Sequence, residues 1–109
     1  MSWDIGISVN GYQLEGCSYN YTHNCNQMMR EANFNWVYDL DGKLVADTVD
    51  NFKMMLSNLK ADPERFRAMN PVNGWGSYDS LVELWEKKIL PTVIDVAEKI
   101  PNATWWESS

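Results

Sequence analysis

Alternation opens the chain. From Trp3 to Val9 the apolar residues Ile5, Ile7 and Val9 fall on one face of an extended segment. Asn10-Gly11 follows, the dipeptide favoured in two-residue hairpin loops because both positions take positive φ. Such a loop sets Val9 opposite Tyr12, Ile7 opposite Leu14 and Ile5 opposite Gly16, so the apolar residues share a face. Beyond Gly16 two registers compete. Regular pairing turns Ser18 and Asn20 inward. A bulge at Gly16 turns Cys17, Tyr19 and Tyr21 inward instead, and it is preferred because it buries tyrosines rather than Ser and Asn.

The period then changes from two to that of a helix. Thr22 or Asn24 caps a first helix running to about Asn33, with Cys25, Met28, Met29 and Ala32 as its inner stripe. Asn24 with Gln27 has the spacing of a capping box. Phe34, Trp36 and Tyr38 alternate, which predicts an extended connection ended by the Asp41-Gly42 turn. A second helix is predicted from Leu44 to Lys60, with Val45, Val49, Phe52, Leu56 and Leu59 on one side. Asp62-Pro63 starts a short helix, Asp as cap and Pro at the first helical position, burying Phe66 and Met69. From Ser77 the stripe Leu81, Leu84, Trp85, Ile89, Val93, Val96 and Ile100 keeps its phase across Pro91. That predicts one long helix kinked there. Pro101-Asn102 ends it, and Ala103 to Glu107 reads as a last strand, most easily paired beside the first.

The order defines an α+β domain: a small antiparallel sheet, the N-terminal hairpin plus the C-terminal strand, with helices packed on one face. At 109 residues the chain is a single domain, residues 1–109. A hydrophobic fraction of 45% suits a folded protein, and most of the six tryptophans must lie in the core or line a surface. A net charge of −6 argues against direct nucleic-acid binding, which needs clustered Lys and Arg. It suits either ordinary solubility or a basic protein partner. No apolar run is long enough to cross a membrane, and residues 1–10 lack the basic start of a signal peptide. Cys17 and Cys25 are therefore read as reduced thiols in the cytoplasm, the host cytoplasm if the chain is phage-encoded. A homo-oligomer is compatible with the sequence.

Two polar stretches carry the unusual chemistry. The first is Tyr19-Asn20-Tyr21-Thr22-His23-Asn24, and the second runs from Asn70 to Asp79 around Gly74-Trp75-Gly76. Both run into helix starts, where free N–H groups favour an anion, so the two are expected to meet at one end of the sandwich. The candidate ligand-binding residues are Tyr19, Asn20, Tyr21, Thr22, His23, Asn24, Asn73, Trp75, Ser77 and Tyr78. Trp75 offers a face for stacking, with backbone near Gly76 and Ser77 for phosphate. The alternative makes Trp75 a plug at one end of the core, His23 a partner of a buried group and the polar residues helix caps. No Lys follows the glycines, which excludes a phosphate-binding P-loop. Two Cys and one His fall short of a zinc set, and Asp39 with Asp41 sits in a turn that uses such residues anyway. No nucleophile turn is present, so neither a catalytic residue, a metal nor a cofactor is expected.

Through Tyr19 to Asn24, Leu40-Asp41-Gly42-Lys43 and Asn70 to Asp79, the chain resembles a group of small bacterial and phage proteins of uncharacterised function. The resemblance spans most of the chain. It implies a shared fold and a phage or prophage setting, where small proteins often block host defences by binding a defence protein or sequestering its nucleotide signal. The leading expectation is a non-enzymatic protein that captures a small nucleotide-like ligand between the two motifs. The rivals are an acidic inhibitor of a host protein and an uncharacterised enzyme.

Overall fold

The computed structural model describes residues 2–32, 34 and 37–109, the side chains of 37 and 38 excepted. Strand β1 (Ser2–Val9) lies at the centre of a three-stranded antiparallel sheet, between β2 (Tyr12–Thr22) and β3 (Thr104–Ser108). Its Trp3, Ile5 and Ile7 are fully buried. The helices cover that face, which makes the chain an α+β domain. The β1–β2 loop has the expected geometry, with φ of 52° at Asn10 and 83° at Gly11.

The regular register holds only for the first rungs, Val9 opposite Tyr12 and Ser8 opposite Gln13. Two residues further along β1, Gly6 already faces Ser18, so five residues of β2 oppose two of β1. Ile5 therefore opposes Tyr19, not Gly16. The excess is odd, so it reverses which residues face the core. Gly16 sits inside the irregularity at φ 75°. Cys17 is buried, Tyr19 and Tyr21 are half-buried, and Ser18 and Asn20 are exposed.

Thr22 caps the next element by accepting from Asn24 N at 3.2 Å, and a 3-10 turn (His23–Cys25) leads into α1 (Asn26–Glu31). The capping box expected of Asn24 and Gln27 does not form, because α1 starts one residue later, with Cys25 at its N-cap and no side-chain cap hydrogen bond. Cys25, Met28, Met29 and Ala32 are buried as their spacing requires. Residues Val37–Leu40 form a 3-10 turn rather than an extended connection, and Trp36 lies outside the described residues. A further 3-10 turn (Val45–Thr48) starts α2 (Val49–Ala61). Asp62 caps α3 (Pro63–Arg67), with Phe66 buried.

Backbone helix runs unbroken from Tyr78 to Lys99 as α4 (Tyr78–Glu83), a π segment (Leu84–Ile89) and α5 (Leu90–Lys99). Pro91 has no N–H to donate and its ring crowds the carbonyl four residues back. A wide turn placed just before it accommodates both effects. Trp85 and Ile89 stay buried in that turn, so the stripe keeps its phase. The core centres on Phe52, whose ring lies 4.8 Å from Trp85, 5.3 Å from Phe34 and 5.7 Å from Trp105.

Candidate functional site

The two polar stretches meet at the end of the sheet where β1 begins and β2 ends. Register puts Ser2 opposite Thr22, and the Asn70–Ser77 loop closes over that rung. Three contacts hold the loop down. The Asn24 side-chain amide donates to the Trp75 carbonyl at 3.1 Å. The Ser77 N–H donates to the Tyr21 hydroxyl at 3.2 Å, and that hydroxyl bonds Ser80 Oγ at 2.6 Å. Gly76 packs where no side chain fits: a Cβ there would lie 2.7 Å from Thr22 Cγ2 and 3.0 Å from Cys25 Sγ. Its φ of 97° also excludes most other residues.

The result is a cleft of about 430 Å³ lined by Ser2, Asn20, Thr22, Asn24, Gly74 and Trp75. Trp75 is 85% exposed, so it does not plug the core. Val72, three residues before it, is 96% exposed. The amides in the cleft use their Nδ2 donors on neighbouring groups of the protein. Asn20 Nδ2 donates to Asp4 Oδ1 at 2.9 Å and to Ser2 Oγ at 3.1 Å, and Asn24 Nδ2 is held by the loop. Their Oδ1 oxygens accept no hydrogen bond among the described residues. The cleft therefore offers an aromatic face and acceptor oxygens.

The helix start beside it is poorly suited to an anion, contrary to the expectation above. The Ser77 N–H goes to Tyr21, the Tyr78 N–H to Asn70 Oδ1 at 2.8 Å and the Ser80 N–H to Ser77 Oγ at 3.1 Å. Asp79 in the same turn pairs with Arg67 at 2.9 Å. Side chains have taken three of the four N–H groups at this helix start, those of Ser77, Tyr78 and Ser80.

Of the ten candidate residues, Asn20, Thr22, Asn24 and Trp75 line the cleft. Tyr21 braces the loop from below, and burial pushes its phenol pKa up, so it stays protonated. Ser77 is spent as a cap. Tyr78 is in the core, donating to the Leu59 carbonyl at 2.7 Å with the Arg67 guanidinium 5.0 Å over its ring. Tyr19 faces the helices, opposite Ile5. Asn73 is exposed and His23 half-buried, and neither lines the cleft. Ser2 and Gly74 were missed. The signal for Ser2 was the hairpin register, which reaches Thr22 only once the bulge is counted.

Cys17 and Cys25 are free and buried, and burial raises both thiol pKa values, which makes them poor nucleophiles. Among the described residues no three His, Cys, Asp or Glu side chains converge on a metal position, and no helix is long and apolar enough to cross a membrane. No family model matches the chain, and no curated protein or solved structure does either.

Proposed function

We propose that the protein is a non-catalytic binding protein whose Trp75 cleft grips a planar, donor-bearing group on a basic protein partner, the side chain of an arginine. The observation that carries this reading is the exposure of Trp75 on a loop otherwise tied down by Asn24, Tyr21 and Gly76. A guanidinium stacks on an indole and donates in plane to acceptors such as Asn20 Oδ1 and Asn24 Oδ1. Exposed tryptophan is a frequent anchor of protein interfaces, and the net charge of −6 suits a basic partner. In the phage or prophage setting that the motifs imply, the partner is a host defence protein and the chain its inhibitor.

A nucleotide-like ligand is the second reading. Its support is the size of the cleft together with a stacking face and acceptors for the exocyclic amino group of a base. In this reading the base is held and the phosphate is not.

The test is an NMR titration of the wild-type protein with N-acetyl-arginine amide, adenosine and adenosine monophosphate. Shifts of the Trp75 indole and the Asn20 and Asn24 amides with the arginine probe are expected. Stronger binding of adenosine than of the arginine probe moves the second reading to first place. A monophosphate that binds more tightly than adenosine contradicts both.

A further inference from the structure

A second cavity, about 530 Å³, opens beside the start of α2 and shares no lining residue with the Trp75 cleft. Its floor is Phe34, Leu40, Thr48 and Phe52, all buried. Thr48 Oγ1 is committed, donating to the Val45 carbonyl at 2.7 Å and accepting from Trp105 Nε1 at 3.0 Å. Lys43, Leu44, Asp47 and Asn51 complete the lining. The rim is anchored by backbone: Trp105 N donates to the Lys43 carbonyl at 2.8 Å and Val45 N to the Ala103 carbonyl at 2.9 Å. Among the described residues, no hydrogen bond or ion pair holds the Lys43, Asp47 or Asn51 side chain.

We infer that this cavity binds a small zwitterion carrying a large apolar side chain, the chemistry a free amino acid such as phenylalanine presents. Its volume falls within the range of small-ligand sites, and it combines apolar surface at Leu44 with a few polar groups. The rim decides the class of ligand. Lys43 attracts a carboxylate and Asp47 an ammonium group. A ligand with one charge gains from one of them and is repelled by the other, so the two effects offset. A neutral hydrocarbon strips water from both charges and returns nothing. A zwitterion pairs with both, while its apolar part packs on the exposed Leu44 side chain and Asn51 supplies a further hydrogen bond.

The experiment is a 1H–15N NMR titration of the full chain with L-phenylalanine, run beside phenethylamine and 3-phenylpropionate. Saturable shifts of the Trp105 indole N–H and the Asn51 side-chain amide are expected, with the Trp75 indole unmoved. Each single-charge analogue, and each of Lys43→Ala and Asp47→Ala, should bind about tenfold more weakly or worse, which a shift in the titration midpoint reads directly. Both substituted residues are exposed, so the variants should keep the wild-type spectrum elsewhere. Absence of saturation by about 10 mM, where binding is negligible, overturns the inference. So do equal midpoints in the two variants or the analogues, or shifts confined to Trp75. None of these outcomes depends on what the Trp75 cleft holds.

Discussion

The two concavities differ in what their aromatic residues do for the fold. In the Phe34–Phe52 cavity the rings are the core itself, and Phe52 is fully buried against Trp85 and Trp105. In the Trp75 cleft the ring stands outside the core on a loop held by hydrogen bonds and a glycine contact. A buried ring has a structural reason to be there. Trp75 has none among the described residues, and an exposed indole costs solubility unless something covers it. Substitution of the buried rings should therefore cost stability, and substitution of Trp75 should not.

The largest effect should come from Phe52→Ala. Removing a fully buried phenyl from this cluster should cost about 3–5 kcal/mol in a denaturant melt. A loss under about 1 kcal/mol would mean that the floor is not the packed core described. Gly76→Ala comes next. The added methyl meets Thr22 and Cys25 at a backbone angle alanine resists, so a loss above about 1 kcal/mol is expected, together with altered Asn24 and Trp75 resonances. Tyr21→Phe keeps the ring but leaves the Ser77 N–H without its phenol partner, for about 1 kcal/mol. Its loop resonances should broaden while those of Phe52 stay put. If both regions respond alike, the loop is not the separate unit proposed here.

Asp79→Asn should have the smallest effect, confined to acid. The Arg67 guanidinium, donating to Asp79, holds its carboxyl below the ordinary value of 3.8. A depressed carboxylate stabilises the fold above that value and loses its contribution as pH falls through the folded-state pKa. The variant should therefore show a shallower loss of stability on acidification below about pH 4. Urea melts at several pH values check this, and an unchanged acid limb would mean the surface pair contributes nothing.

The parts of the fold that local rules decide were legible in the sequence. Asn10-Gly11 named its turn, Asp62-Pro63 its helix start, and the stripe from Leu81 to Val96 its buried face. In the β1–β2 pair, the preferred bulge at Gly16 gave the inward facing of Cys17, Tyr19 and Tyr21, but not the pairing of Ile5 with Tyr19, because any odd number of extra residues produces the same facing. The π segment before Pro91 was not legible, since a proline signals a problem and not its solution. At the site, two helix starts were enough to bring Asn24 and Trp75 together. They were not enough to show that Tyr21, Asn70 and Ser77 would occupy three of the N–H groups a phosphate needs. Tyr78 was misread because its polar hydroxyl reaches the Leu59 carbonyl inside the core. The Phe34–Phe52 cavity left no trace in the pattern, because a void is space that neighbouring side chains fail to fill.

The central claim is that Trp75 serves a contact and not the fold, and the affinity of Trp75→Ala for N-acetyl-arginine amide tests it most directly. A stack of this kind is worth about 1–2 kcal/mol, so the variant should bind about five- to thirtyfold more weakly than wild type. Its melt should stay within about 0.5 kcal/mol of wild type, as expected for an exposed side chain. Equal affinity in wild type and Trp75→Ala would contradict the account.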